Sequence, residues 1–325
     1  MNLFPDKIPG PESQDRFNLK FGRILPYIIR TSDRLYRRHQ VHSSEVHLSC
    51  TPFFIIGSGR NGSTLLSSML NQHSKIMVPP EQWVLYEVII KYKLYNLIEW
   101  KDLVNICLGL YADIQTNEGW KTNFQHLYSE LHNLPKSRRT LTKILDKIYL
   151  THGRQRELQF ETWGEKSPLN TVYLRYIYPV FPQSKYVFLI RDGRDVVSSI
   201  TKVRGRDLKY AAWRWNYSIA QFEWLKSEVS GNQLRIIRYE DLITEPEKTL
   251  RKLMSFLGYD YESSMMNYQE SVDYLDLEKF DYHQNVKRSL DKQRIGKWKD
   301  RLSQEEIDKL MPMLKDNLFA FNYSE

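Results

Sequence analysis

Residues 57–64 read Gly-Ser-Gly-Arg-Asn-Gly-Ser-Thr, a glycine-rich run that carries one cation and ends in two hydroxyl side chains. It follows the apolar run 53–56 and precedes a helical pattern of apolar residues over 65–70. Glycines let backbone N–H groups turn toward an anion, and a helix N-terminus adds partial positive charge. The run therefore predicts an anion site. Its members would be Arg60, Asn61, Gly62, Ser63 and Thr64.

The same run nearly matches the nucleotide P-loop, but Ser63 stands where that motif needs lysine. A triphosphate hydrolase without that lysine would lose its hold on the β and γ phosphates. Here the cation is Arg60, inside the loop. The simpler alternative is a structural glycine turn that binds nothing.

A second candidate anion site begins at Arg191, in the segment Arg-Asp-Gly-Arg-Asp. This segment follows the apolar run 186–190, and Ser199 comes about two helical turns later. A guanidinium and a hydroxyl at a strand end can hold a phosphate, the guanidinium bidentately. The alternative is an ion-pair cluster at a helix N-terminus, formed by Asp192, Arg194 and Asp195.

The elements that would position these residues alternate along the chain. Strands are predicted at 53–56, 186–190 and 234–238, and 76–78 also resembles a strand. Helices are predicted after each loop and over 245–257 and 303–318, the last with Ser303 and Glu306 spaced as a capping box. Alternation of this kind predicts an α/β fold with a mainly parallel central sheet flanked by helices. Ligands of such sheets bind at the carboxyl ends of the strands.

Further helices are indicated in the long stretch 82–152, around Val84 to Tyr95 and around Leu103 to Leu110. Residues 1–50 are interpreted as an N-terminal extension with a helix over 26–35, and residues 51–325 as one domain. Pro312 could kink or split the last helix.

Composition narrows the class of protein. The 325 residues carry 47 Lys and Arg against 39 Asp and Glu, a net charge of +8, and 41% are hydrophobic, which argues against disorder. The basic residues form only short clusters, at 34–38 and 136–139, so we expect solvated surface and no nucleic-acid partner. The sequence contains no long apolar run, which argues against a membrane span and a secretory signal. Two cysteines suit a reduced, cytoplasmic setting.

Four motifs, in this order, resemble those of the sulfotransferases that use 3′-phosphoadenosine 5′-phosphosulfate (PAPS). The first is 59–64, with Gly59 and Asn61 in place of that family's proline and first serine; the others are Arg191 with Ser199, Tyr239 in 238–242, and Lys297 in 296–298. The resemblance implies that 59–64 binds the 5′-phosphosulfate and that Arg191 and Ser199 bind the 3′-phosphate. It also implies that Lys297 closes over the cofactor. A single domain with a P-loop-kinase-like core and no required metal is expected.

Two further segments are similar to the tyrosylprotein and carbohydrate branch of that family: Pro80-Glu81, and Gly164 to Pro168 around Lys166. Sulfuryl transfer depends mainly on positioning and on charge stabilisation. Glu81 is the candidate base, with His73 as its rival and a structural helix N-terminal carboxylate as the alternative. Arg60, Lys166 and Lys297 would neutralise the leaving group. Lys166 could instead be a surface lysine paired with Glu165, and Lys297 could simply flank Trp298.

These motifs predict an enzyme that moves a sulfuryl group from PAPS to a hydroxyl or amine and releases adenosine 3′,5′-bisphosphate. The expected acceptor is a carbohydrate or a small natural product such as an alkaloid, with protein tyrosine as the alternative. A nucleoside or nucleotide kinase of the same fold would need Mg²⁺ and the lysine that Ser63 replaces. A non-catalytic binder of nucleotide or polyanion would keep its function without Glu81.

Overall fold

A parallel five-stranded sheet forms the centre of the computed structural model, which describes residues 38–114, 120–271 and 289–323. The strands are β1 Phe53–Ile56, β2 Ile76–Met77, β3 Thr162–Lys166, β4 Lys185–Ile190 and β5 Leu234–Arg238. Their order across the sheet is β2-β3-β1-β4-β5, and every neighbouring pair runs parallel. All five carboxyl ends therefore lie at one edge. The predicted α/β fold with a parallel sheet and a P-loop-like core is confirmed.

The predicted strands at 53–56, 186–190 and 234–238 are all present, and β2 occupies part of the predicted 76–78. Every residue of β1 is buried, as its continuous apolar sequence predicts for a strand covered on both faces. Phe54 and Ile56 pack into one hydrophobic core, whereas Phe53 and Ile55 pack into the other. The sheet thus separates two cores, because successive side chains point to opposite faces.

The sequence analysis assigned no strand to residues 162–166, where the structure has β3. Its sequence, Thr-Trp-Gly-Glu-Lys, has no apolar run and no clean alternation, although all five residues are buried. Glu165 and Lys166 are charged, and such residues are seldom buried without partners. Their partners, Tyr149 and Asn170 for Glu165 and Glu81 for Lys166, lie outside the strand, so the periodicity of 162–166 does not reveal them.

Helices cover both faces of the sheet. Those before β4 are α1 Ser63–Leu70, α2 Leu85–Leu94, α3 Trp100–Ile114, α4 Gln125–His132, α5 Leu141–Gln155, α6 Pro168–Val172 and α7 Leu174–Ile177. Those after it are α8 Gly193–Arg204, α9 Leu208–Glu228, α10 Tyr239–Thr244, α11 Pro246–Leu257, α12 Trp298–Arg301 and α13 Gln304–Ala320. Short 3₁₀ turns lie at Lys136–Arg138, Ser263–Ser271 and Lys292–Arg294.

The helices predicted after the two loops and over 245–257 and 303–318 are confirmed as α1, α8, α11 and α13. α11 starts at Pro246, where the missing N–H costs nothing, and ends before Gly258. The capping box that opens α13 has both of its bonds, since Ser303 accepts from the Glu306 N–H and Glu306 accepts from the Ser303 N–H. α13 continues through Pro312 as one helix.

The described part of the N-terminal segment contacts the domain. Val41 is buried in the larger core, Gln40 forms a β-bridge with Thr140, and the His39 N–H donates to the Asn96 side chain at 2.9 Å. The helix predicted at 26–35 lies outside the described residues, and the boundary at residue 50 stays a prediction. Among the helices described here, none is long and apolar enough to cross a bilayer.

Candidate active site

The residues that the sequence analysis selected follow the carboxyl ends of all five strands. From one side of the sheet to the other, Glu81 follows β2, Lys166 ends β3, the glycine loop 57–62 follows β1, Arg191 follows β4, and Tyr239 follows β5. Because the strands are parallel, these five positions share one edge. The fold thus collects motifs that are up to about half the chain apart.

The glycine loop is anchored to its neighbours by side chains of its own and of α6. The Asn61 Nδ2 donates to the Leu189 carbonyl oxygen of β4 at 2.7 Å, and Asn61 is buried. The Gly57 N–H donates to Thr171 Oγ1 at 2.8 Å. Arg60 has a left-handed backbone with φ 56°, which is uncommon for a residue with a side chain. The amide of Asn61 therefore fixes the loop to the sheet.

Gly62 is required by the close approach of a ring. Its φ is 94°, and a Cβ built there would lie 2.4 Å from the Cδ2 atom of Tyr239. The Tyr239 ring thus packs directly against the loop, and the Arg191 guanidinium lies over the same ring at 4.3 Å. Tyr239 thus links the glycine loop 57–62 to the second candidate anion site, at Arg191.

The two predicted anion sites are in direct contact. The Arg60 Nε lies 3.1 Å from Ser199 Oγ, and the Arg191 Nη1 donates to the Arg60 carbonyl oxygen at 3.3 Å. The sequence analysis gave Arg60 to the 5′-phosphosulfate and the other two residues to the 3′-phosphate. In the structure the Arg60 side chain reaches toward Ser199.

Asp195 attaches the segment of Lys297 to this region, which the sequence analysis did not anticipate. Its carboxylate accepts the backbone N–H groups of Gly296 and Trp298, each at 2.9 Å. It also lies 3.3 Å from the Arg191 Nη2, which donates to the Arg294 carbonyl oxygen at 2.6 Å. The late motif and the second loop therefore form one unit. The clue in the sequence was only an aspartate at helical spacing from Arg191.

Positive charge accumulates where this unit forms. Burial lowers the pKa of Arg301, and repulsion from Arg191 and Arg294 lowers it further, while Asp195 acts in the opposite direction. Lys297, half-buried at the start of α12, adds another cation to the same segment. Neighbouring guanidinium groups that repel one another are stabilised by an anion. These donors fit a phosphate group.

Arg194 has the structural role that the sequence analysis left open. It forms an ion pair with Asp192 at 2.8 Å and lies over the Trp298 ring at 4.5 Å. Trp215 of α9 is buried against Gly193 and donates its indole N–H to the Arg191 carbonyl oxygen at 3.0 Å. These residues pack the loop.

At the other end of the site, Lys166 and Glu81 form an ion pair. The Lys166 Nζ lies 2.9 Å from the Glu81 Oε2, with side chains 3% and 25% exposed. The Trp83 indole N–H donates to the Glu81 Oε1 at 3.1 Å. The alternative of a surface lysine paired with Glu165 is wrong, because Lys166 is buried and bonded to Glu81. A carboxylate paired with an ammonium can accept a proton and supply a positive charge, which is what the roles predicted for these two residues require.

Arg214 is a functional candidate that the sequence analysis missed. From α9, its Nη2 donates to the carbonyl oxygens of Ser58 and Pro168, both at 3.3 Å. It thereby connects the glycine loop to the turn after Lys166. Burial lowers the pKa of Arg214. Its only signal in the sequence was an arginine between two tryptophans.

His73, the rival base, is occupied elsewhere. Its Nδ1 accepts the Lys75 N–H at 3.1 Å, and its Nε2 lies 2.9 Å from the Asp260 carbonyl oxygen. One ring nitrogen thus stabilises the turn before β2, and the other joins that turn to the segment after α11. This geometry favours Glu81 over His73.

An exposed aromatic side chain lies beside Glu81, and two stacked aromatic pairs lie on α2, α9 and the segment between α6 and α7. Trp83 is 46% exposed next to the carboxylate that it contacts. Tyr86 and Tyr173 stack face to face, with centroids 4.0 Å apart and planes 5° apart. Trp213 and Tyr217 stack at 5.1 Å on α9.

In the described ranges, no cluster of three His, Cys, Asp or Glu side chains could hold a metal ion.

A profile of the sulfotransferase family matches residues 52–263, which cover all five strands and both candidate anion loops. The chain therefore belongs to the sulfotransferase family, whose members use PAPS, and it is a sulfotransferase enzyme. This range ends before Lys297 and α12.

Individual relatives are distant. The chain is 21% identical to a protein-tyrosine sulfotransferase of Drosophila melanogaster over 80% of its own length and 47% of that protein, and thus spans about half of it. It is 19% identical to the nodulation protein NoeE of Sinorhizobium fredii, over 82% of the chain and 64% of that protein. Among solved structures, the sulfotransferase domain of the Synechococcus olefin synthase is similar. That domain has TM-score 0.56 and 22% identity, over 85% of this chain and 98% of the domain, and shows the shared fold.

Proposed function

We propose that this enzyme transfers the sulfuryl group of PAPS to a hydroxyl or amine of a carbohydrate or of a small natural product such as an alkaloid. The observation that supports this most is the common edge on which the Glu81–Lys166 pair and the two anion loops lie. One end of the site offers a proton acceptor and a cation, and the other offers several guanidinium groups.

In this proposal the donor spans the two ends. Arg191 and Ser199 would hold the 3′-phosphate, with help from Arg294 and Arg301, which the sequence analysis did not select. Lys297, which the sequence analysis gave to the leaving group, is assigned here to the 3′-phosphate, because Asp195 attaches its segment to the second loop. The residues that would hold the 5′-phosphosulfate are those of the glycine loop, Arg60 to Thr64. The contact between Arg60 and Ser199 makes Arg60 a residue that could serve either phosphate.

Glu81 would take the proton of the acceptor as the acceptor oxygen or nitrogen bonds to sulfur. The bond from sulfur to the bridging oxygen breaks, and adenosine 3′,5′-bisphosphate leaves with the added negative charge. Lys166, next to Glu81, would neutralise that charge. General-base assistance is worth about 10²–10⁴-fold. No step in this scheme needs a metal.

A tyrosine acceptor is the second candidate, because several relatives are named protein-tyrosine sulfotransferases. An acceptor with a ring, whether an alkaloid or a tyrosine, would suit the half-exposed Trp83, since aromatic faces bury flat apolar groups well. A kinase is disfavoured, because Ser63 begins α1 where a nucleotide P-loop needs its lysine.

The deciding experiment supplies ³⁵S-labelled PAPS with separate pools of sugars, alkaloids, phenols and tyrosine peptides. We expect label in the sugar or alkaloid pool, and transfer that survives excess EDTA. Label only in the peptide pool would select the second candidate. No label in any pool, combined with Mg²⁺-dependent transfer from ATP, would overturn the proposal in favour of a kinase. Titration with adenosine 3′,5′-bisphosphate supplies the control for donor binding.

A further inference from the structure

A buried chain of hydrogen bonds joins the two residues that are next to the Glu81–Lys166 ion pair in the sequence. Gln82 follows Glu81 in the sequence, and Glu165 precedes Lys166. The Tyr149 hydroxyl, from α5, lies between them: it accepts from the Gln82 Nε2 at 2.9 Å and donates to the Glu165 Oε2 at 2.6 Å. All three side chains are buried.

Both ends of this chain are fixed to the backbone or to a second side chain. The Gln82 Oε1 accepts the N–H groups of Val84 and Leu85 at 2.7 and 3.1 Å, and so satisfies the start of α2. The Glu165 Oε1 accepts from the Asn170 Nδ2 at 2.9 Å. Gln82 is therefore fixed to the start of α2, and Glu165 is fixed to Asn170, so neither side chain can move without its own segment.

Packing leaves Tyr149 little freedom of its own. Its ring stacks on Trp163 with centroids 4.0 Å apart and planes 13° apart, and meets the Trp120 ring edge-on at 5.2 Å. Trp120 also donates its indole N–H to the Pro80 carbonyl oxygen at 2.8 Å, just before Glu81. The aromatic cluster therefore holds the same segment of backbone as Gln82 does.

From this geometry we infer that Tyr149 is a positioning residue, whose hydroxyl sets the distance between the Glu81 carboxylate and the Lys166 ammonium through Gln82 and Glu165. A buried hydroxyl between an amide donor and a carboxylate has no water to replace a lost partner. Its removal would leave Glu165 short of a donor and let the segments of β2 and β3 shift. A displacement of about 1 Å at a reacting group can cost about 10²-fold in rate.

The test compares Tyr149→Phe with Tyr186→Phe. Tyr186 is also a buried tyrosine, and its hydroxyl donates to the Phe181 carbonyl oxygen at 2.9 Å in the core. Both variants lose one buried hydroxyl and keep the ring. With labelled PAPS and the acceptor found active above, we expect Tyr149→Phe to lower kcat by about 10–100-fold. The Kd for adenosine 3′,5′-bisphosphate should stay within about two-fold of wild type.

Tyr186→Phe should have the kcat of wild type, although its Tm should fall by about as much as that of Tyr149→Phe. Equal kcat in the two variants would overturn the inference. Glu165→Gln serves as a second variant if Tyr149→Phe does not fold. Tyr149 and Asn170 donate to different oxygens of Glu165, and in glutamine one of these oxygens is replaced by an NH₂ group, which cannot accept. This variant should also lower kcat without weakening bisphosphate binding, and unchanged kcat in it would overturn the inference as well.

This inference rests on the proposed function only for its kinetic readout, so a second readout separates the two. In the ¹H–¹⁵N spectrum of lysine ammonium groups, the Lys166 signal is assigned by its loss in Lys166→Met. We expect it to be protected from exchange in wild type and in Tyr186→Phe, and to broaden in Tyr149→Phe. Broadening without any transfer activity in wild type would reject the proposed function and keep the inference. Identical signals in all three would reject the inference.

Discussion

The Lys166 ammonium lies 2.9 Å from the Glu81 carboxylate, although 85 residues separate the two along the chain. Lys166 is almost fully buried, and a buried charge that loses its partner destabilises a protein by about 3–5 kcal/mol. Glu81 is partly exposed, so the same pair reaches both the interior and the surface of the site. Glu81 is thus the more exposed partner of the pair.

Glu81→Gln is expected to lower kcat by about 100-fold or more, because an amide cannot take the acceptor's proton. Binding of adenosine 3′,5′-bisphosphate, measured by calorimetry, should change little. Glu305→Gln is the matched control, since Glu305 also pairs with a lysine, Lys309, but on the exposed face of α13. Equal losses of turnover and of bisphosphate affinity in Glu81→Gln would indicate a structural carboxylate.

Arg191→Ala is expected to weaken adenosine 3′,5′-bisphosphate by about 10–100-fold, since hydrogen bonds to charged groups contribute about 1.5–3 kcal/mol. Binding of 5′-AMP, which lacks the 3′-phosphate, should weaken far less. Arg251→Ala, which removes an exposed arginine paired with Glu247, controls for the loss of one positive charge. If both nucleotides lose affinity equally, Arg191 does not recognise the 3′-phosphate.

Gly62→Ala should abolish most donor binding, whereas Gly258→Ala should not. Both glycines have φ 94°, so both substitutions cost about 1–2 kcal/mol of backbone strain. Only at Gly62 would the new Cβ collide with a ring, 2.4 Å from Tyr239, while at Gly258 the nearest atom is the Lys185 Nζ at 3.6 Å. Calorimetry with the bisphosphate and thermal unfolding separate the two effects. Similar donor binding in both variants would show that the loop tolerates the collision.

Glu165→Gln should alter how stability depends on pH. Burial raises the pKa of the Glu165 carboxyl from 4.5 to about 7. Between these values the native state holds a proton that the unfolded state has lost, so unfolding free energy falls as pH rises through this window and is level above it. The fall amounts to about 3 kcal/mol, at 1.36 kcal/mol per pKa unit.

Urea unfolding of wild type and Glu165→Gln at pH 5 and pH 8 checks this expectation. The variant should lose less stability between the two pH values than wild type does. Some slope should remain, because burial also raises the pKa of Glu240, which both proteins keep. Identical slopes would show that Glu165 titrates near its ordinary value.

Much of the fold and about half of the site followed from local patterns. β1, β4 and the glycine loop were predictable because each is defined by neighbouring residues: an apolar run, a turn that needs glycine, and the start of a helix. The capping box at Ser303 and the proline at the start of α11 were predictable for the same reason. β3 was not, because its charged residues are buried only with partners from elsewhere.

By itself, therefore, the sequence indicated the class of the enzyme through motifs that resemble those of the sulfotransferases. It also gave the positions of the two candidate anion loops, since backbone conformation and helix termini are local properties. Only the tertiary structure decided which side chains meet. Three contacts join residues that are far apart in the chain. They are the pairing of Lys166 with Glu81, the attachment of the Lys297 segment by Asp195, and the hydrogen bonds of Arg214 to the glycine loop. Such contacts depend on the order of strands in the sheet, which brings distant strand ends to one edge.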